Sequence, residues 1–201
     1  MAAARKLEPL YTYEDYRKVP ENGVKLELID GKIRAMASAT SGHQEISLNL
    51  SARLREHLRK KGSKCRVIQD VDTRLNYAQG DKTAVRPDVL VVCSPSKIYR
   101  GTVIGAPDFV AEIWSPSNTH KERVEKFAKY REAKVREIWF IDPKTKIVET
   151  YCLDEASGRY VSYLYTEDDD INVGIFPNLL IEGAELFDTI EDTDDDEEEE
   201  R

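Results

Sequence analysis

Residues 85–130 read VRPDVLVVCSPSKIYRGTVIGAPDFVAEIWSPSNTHKERVEKFAKY. Two apolar runs of strand length, 89–93 and 109–114, each carry a carboxylate where a core strand should not have one. Asp88 opens the first run and Glu112 sits inside the second. A buried, ionised carboxylate without a partner is costly or takes a proton, so Glu112 needs a cation, a metal or an opening to water. On neighbouring strands, Asp88 and Glu112 would suit one divalent metal, because hard oxygen ligands are what Mg2+ selects. An arginine, a lysine or a strand edge would satisfy Glu112 equally well on pattern alone.

Downstream, Ser115-Pro116-Ser117 ends the second run, and Thr119 with Glu122 forms a capping box for a helix running to about Ala133. Val124, Phe127, Ala128 and Tyr130 supply its apolar side. Lys126 borders that side, where a lysine ordinarily snorkels to water. REIWFI (136–141) reads as a buried strand stopped by Asp142-Pro143, then residues 146–153 and 159–166 form a meander, and 171–180 a short final strand region.

Upstream, residues 12–18 offer a short helix capped by Thr12, with aromatics that lid the core. VKLELI and KIRAM flank Asp30-Gly31, a strong hairpin signal. On period alone, Glu27 of this hairpin is an exposed strand residue. Residues 41–61 form the first long helix, with Ser41 and Gln44 as a capping box and Ile46, Leu50, Leu54 and Leu58 as its apolar stripe. His43 lies at its start, and Arg53, Arg55, Arg59, Lys60 and Lys61 make its far end basic. Residues 64–75 alternate as one strand, and 94–107 read as a loop.

The 201 residues are 40% hydrophobic and 34% charged, a single-domain composition with material for a core. The net charge of −8 is a property of the C-terminus: residues 188–201 hold ten acids and one base, a charge of −9, leaving residues 1–187 at +1. The expected organisation is therefore one domain over 1–187 and a disordered acidic tail over 188–201. No run approaches a membrane span, and the N-terminus lacks the apolar centre of a signal peptide, which makes the cytoplasm the default. Cys65, Cys93 and Cys152 are isolated and odd in number, and are read as core packing in a reducing compartment. His43, His57 and His120 lack metal-ligand spacing.

Helix, strand, strand with Pro-Asp, strand with a central Glu, helix, strand is an α/β order with a mixed central sheet flanked by helices, bracketed here by an N-terminal hairpin and a C-terminal β-meander. ELIDG (27–31), His43-Gln44, RPDVLVV (86–92), GAPDFVAEIWSPS (105–117), Lys126 with Tyr130, and VREIWFIDP (135–143) together resemble the Uma-type family of the PD-(D/E)XK nuclease superfamily. The resemblance spans about residues 12–187. It implies a restriction endonuclease-like core that binds Mg2+, with Mn2+ as an alternative, and hydrolyses DNA, with a homodimer suggested by superfamily analogy. By the same resemblance Asp88 and Glu112 are metal-binding acids, Glu27 a third acid, and Lys126 the catalytic amine. The superfamily's usual lysine position, two residues after the second acid, holds Trp114. His43, Gln44 and Tyr130 are expected as substrate contacts, the first two at the cleft mouth and Tyr130 one turn on from Lys126, with Arg53, Arg59, Lys121 and Arg123 on phosphates. Pro107-Asp108 is a competing match, rejected because Asp108 and Glu112 are too close along one strand to converge from two strands and would share a single face there.

A second hypothesis is a catalytically inactive nuclease-fold protein that binds nucleic acid or partners, favoured by Trp114. A third is an RNA- or protein-interaction module in which the acidic tail is the working part.

Overall fold

The central sheet takes its order from two strands that the sequence makes too apolar to sit anywhere but the middle. The computed structural model describes residues 10–20, 22–116 and 118–189. The tail beyond residue 189 lies outside the described residues. In chain order the elements are α1 (Tyr13–Tyr16), β1 (Leu26–Ile29), β2 (Lys32–Ala35), α2 (Ser41–Lys60), β3 (Arg66–Ile68), β4 (Thr73–Arg74), β5 (Val89–Val92), β6 (Ile98–Tyr99), β7 (Thr102–Ile104), β8 (Phe109–Ile113), α3 (His120–Glu132), β9 (Glu137–Asp142), β10 (Ile147–Asp154), β11 (Arg159–Tyr165), β12 (Asp170–Asn172), β13 (Leu180–Glu182) and α4 (Gly183–Leu186).

The six-stranded sheet runs β11-β10-β9-β8-β5-β3. Only the β8–β9 pair is parallel, as the crossover through α3 requires, and the other pairs are antiparallel, so the sheet is mixed as expected. β5 and β8 are buried at every residue. One face packs on the α2 stripe, Ile46, Leu50, Leu54 and Leu58, together with the C-terminal segment. The other face packs on α3 through Tyr130, with Trp114, Ile138 and Phe140 in the same cluster. Sheet faces that alternate by residue thus place Glu112, between Val110 and Trp114 in parity, on the α3 side.

The Asp30-Gly31 hairpin forms as the sequence indicates, with both turn residues at positive φ. Three local expectations need correction. α2 is capped by Thr40, whose hydroxyl accepts from the His43 N–H, one residue before the expected Ser41 cap. The expected single strand 64–75 breaks into β3 and β4 around Asp70, which has a φ of 50°, and β4 joins a separate sheet with β6 and β7, inside the segment read as loop. Finally, Cys65 and Cys93 form a disulfide, so the reading of all three cysteines as reduced packing fails for this pair. Their 28-residue separation hid the relationship. Continuing the β3–β5 register by one step past Arg66↔Val92 puts them opposite each other. Among the described residues no helix is long and apolar enough to cross a membrane.

Candidate active site

Asp88 and Glu112 are cross-strand neighbours. The β5–β8 register pairs Val89 with Ala111, so the next step sets Asp88 opposite Glu112, and directly opposed residues point to the same side of a sheet. Asp88 Oδ2 also accepts the Ile113 N–H at 2.7 Å, which ends the ladder and fixes the carboxylate at its edge. The other Pro-Asp pair does the same at the far end: Asp108 Oδ2 accepts the Cys93 N–H at 2.7 Å and Oδ1 lies 3.3 Å from Arg136. Asp108 is four strand residues from Glu112, about 13 Å away. Separation along the strand, not the closeness expected from the sequence, is what sets Asp108 apart from the cluster around Glu112.

α3 brings the cation. Lys126 Nζ lies 3.0 Å from Glu112 Oε2 and 3.2 Å from Glu27 Oε2. Lys126 is only 7% exposed and Glu112 only 3%, so the expected snorkelling lysine is instead a buried one. α3 is turned relative to the apolar side read from sequence: Val124 is exposed, and Lys126 and Tyr130 are the buried pair. Tyr130, one turn on, donates its hydroxyl to Glu112 Oε1. Glu27 faces this cluster from β1 and is buried, against the exposed position that strand period alone suggests. Its Oε2 is within ion-pair distance of Lys126 but accepts no hydrogen bond. His43, at the start of α2, places Nε2 3.3 Å from Asp88 Oδ1, and its Nδ1 is buried without a partner.

Three carboxylates and one ammonium set the electrostatics. Burial raises the Glu112 carboxyl to about 7; Lys126 pulls against that shift, while Asp88 and Glu27 add to it. Burial works against the charge on Lys126, but Glu112, Glu27 and Asp88 outweigh it and hold the ammonium above the ordinary lysine range. One cation serves three acids, so the most enclosed acid is the one that leans towards its protonated form. Burial, then Glu112, pushes the Tyr130 phenol well above its usual range. Burial also opposes protonation of His43, and Asp88 more than offsets it, raising the imidazole.

These groups floor a cleft of about 730 Å³ between the β1–β2 hairpin, the start of α2 and the start of α3. Among the described residues no three His, Cys, Asp or Glu side chains already converge as a metal cage. Lys126 stands between Glu27 and Glu112 and brings the positive charge that a metal would otherwise bring. The donor set still fits a hard divalent ion, with opposed carboxylates at Asp88 and Glu112 and a buried Glu27 oxygen lacking any hydrogen bond.

Residues 13–182 match the model of the Uma2 family, described as "Putative restriction endonuclease". The chain belongs to the Uma2 family. A crystal structure described as a putative nuclease belonging to DUF820, from Anabaena variabilis ATCC 29413, superposes with a TM-score of 0.71 at 22% identity, covering 88% of this chain and 97% of that one. At that identity the likeness is one of fold, and it agrees with the mixed α/β architecture. No curated protein matches.

On this Uma2 chain the remaining expected residues separate into two groups. Gln44 lines the cleft beside His43. Lys121 and Arg123 lie in the first turn of α3 but do not line the cleft; Arg123 stands over the Trp114 ring at 4.9 Å and 3.6 Å from Asp142. Arg53 and Arg59 do not reach the cleft. At 1.5 Å per residue they stand roughly 15 and 24 Å down α2 from His43, and Arg53 is tied to Glu56 and Glu185. Tyr130 is fully buried behind Glu112, which makes it a support for that acid and not a substrate contact. The sequence reading missed Arg34, which lines the cleft and pairs with Glu125 at 2.6 Å. A signal existed: the Asp-Gly turn fixes Glu27 opposite Arg34.

Proposed function

We propose that this protein is a Mg2+- or Mn2+-dependent endonuclease that hydrolyses DNA phosphodiester bonds and works as a homodimer. The observation that carries the reading is the opposition of Asp88 and Glu112 on adjacent strands with the Lys126 ammonium against Glu112. Asp88 and Glu112 would hold the ion, with Glu27 completing the oxygen set. A bound divalent ion supplies Lewis-acid stabilisation and lowers the pKa of a water in its shell.

Lys126 sits where it can orient an attacking water and meet charge developing on the phosphoryl oxygens. The amine that the superfamily places two residues after the second acid thus comes from α3, one helix later, while Trp114 stacks on Phe140 at 4.8 Å and walls the cleft. Tyr130 holds Glu112 in one rotamer, and His43 does the same for Asp88. Arg34 in the cleft wall, with Lys121 and Arg123 in the first turn of α3, would supply positive charge suited to phosphates flanking the scissile bond.

Trp114 at the superfamily's usual lysine position favours a second reading, a nuclease-fold protein that binds DNA without turnover. Incubating the protein with supercoiled DNA, single-stranded DNA and duplex RNA, each with Mg2+ or with a chelator, separates the two. Divalent-dependent cleavage of DNA supports the endonuclease. Salt-sensitive binding with no cleavage of any of the three supports the binding protein.

A further inference from the structure

β11 lies at the end of the six-stranded sheet, and among the described residues no strand pairs with its outer side. Edge strands usually carry defences against pairing with another chain: shortness, a bulge, a proline, or a lysine on the exposed side. β11 has none of these. It runs seven residues in unbroken register with β10, an edge about 24 Å long at roughly 3.4 Å per residue. Its YVSYLY segment, residues 160–165, contains no charge and no proline.

The side chains point the same way. Tyr160 leans to the α3 side, where its hydroxyl donates to the Val135 carbonyl, and Tyr165 packs against the α2 side of the core. Between them Leu164 is 63% exposed on one face, and Val161 and Tyr163 are 46% and 53% exposed on the other. Apolar residues on both faces are the pattern of an interior strand. The opposite edge, β3, has only three residues and is broken off at Asp70.

We infer that β11 is the homodimer interface, pairing antiparallel with β11 of a second copy to make one twelve-stranded sheet. Charge complementarity identifies the occupant. Arg159 begins the strand, and Glu167, Asp168, Asp169 and Asp170 follow its end. A two-fold axis at Tyr163 sets each copy's Arg159 opposite Glu167 at the start of the other's acidic turn, where Glu167 also meets Lys146 of its own chain at 2.6 Å, so the surface is self-complementary as an isologous contact must be. The assembly closes at two, because the edges that remain are the defended β3 strands. The inference names the surface for the homodimer proposed above and does not depend on the chemistry of the cleft.

Sedimentation velocity of the full chain across a concentration series tests it. Wild type should sediment at twice 23.0 kDa, and the double variant Tyr163→Lys/Leu164→Lys should sediment at 23.0 kDa with an unchanged far-ultraviolet spectrum. Arg159→Glu and Glu167→Lys should each raise the dimer dissociation constant about tenfold, and combining them should restore it, a swing equivalent to about 1.4 kcal/mol. If the lysine pair prevents folding, hydrogen exchange decides: β11 amides of wild type should gain protection with concentration. A wild type that stays monomeric, a dimer indifferent to these substitutions, or β11 amides that exchange freely in the dimer would overturn the inference. A monomer that cuts DNA would remove this interface and leave the nuclease; a β11 dimer that never cuts would do the reverse.

Discussion

Lys126 Nζ sits 3.0 Å from Glu112 Oε2, and both side chains are buried. Removing one partner of such a pair leaves the other as an uncompensated charge in a poor solvent, typically about 3–5 kcal/mol. Lys126→Met should therefore lower unfolding stability by an amount in that range at pH 8, where Glu112 is ionised. It should cost much less at pH 5, where Glu112 can take a proton. Urea melts at the two pH values check this, and equal losses would place the stabilisation elsewhere.

Glu112 also fixes a pH dependence. Its folded carboxyl titrates at about 7, above its ordinary value of 4.5, so the folded state binds the proton more tightly than the unfolded chain. The stability this contributes is present in full below 4.5 and is lost as pH rises through 7. Wild type should accordingly lose stability between pH 5 and 8 relative to Glu112→Gln, as thermal melts will show. Divalent affinity should run the opposite way, falling as pH drops below about 7, since the proton and the metal compete for one carboxylate.

Tyr130 is buried behind Glu112 and cannot touch a bound duplex. Tyr130→Phe should leave DNA affinity measured without divalent metal unchanged. It should weaken divalent binding about tenfold, in keeping with about 1.5–3 kcal/mol for a hydrogen bond to a charged group. Loss of DNA affinity with intact metal affinity would return Tyr130 to the substrate-contact role expected from the sequence.

Glu137 shows why a carboxylate in a core strand cannot be read on its own. Like Glu112 it stands in an apolar run, and it is completely buried, yet its partners are the Trp139 indole N–H at 2.7 Å and the backbone N–H groups of Gly174 and Ile175 at 3.0 and 2.8 Å. No cation is involved in those bonds. They fasten the segment before β13 onto the sheet, and Gly174 leaves no room for more, since an added Cβ would come within 2.8 Å of Cys152 Sγ. Glu137→Leu should destabilise the fold by about 3 kcal/mol or more, from three donors left buried and unpaired, while leaving divalent binding in the cleft unchanged. A melt and a metal titration on one variant measure both.

The comparison of Glu112 with Glu137 marks how far the sequence reaches. Period, caps and turn residues gave the two long helices, the Asp-Gly hairpin, the apolar strands and the meander, because each is decided within a dozen residues. The pairing of Asp88 with Glu112 was legible because the two carboxylates sit on adjacent strands joined by one connection, Asp88 just before β5 and Glu112 within β8. Glu27 and Lys126 were reached through the family resemblance; strand period made the first exposed and helix period made the second a rim residue. Both are buried because each is the other's partner, a tertiary fact that overrides the local pattern. Arg53 and Arg59 failed to join the cleft for a simpler reason: twenty residues of helix carry its basic end far from its start. The Cys65–Cys93 bond was invisible until strand register was known.

The most direct measurement is the nicking rate of a supercoiled plasmid with Mg2+, compared between wild type and Glu112→Gln at matched folding and DNA affinity. Wild type should convert the plasmid to nicked and linear forms, and the variant should do so at least about 100-fold more slowly, since a neutral amide would replace one of the two opposed carboxylates proposed to hold the ion without opening a cavity. Equal rates for the two proteins would contradict the account.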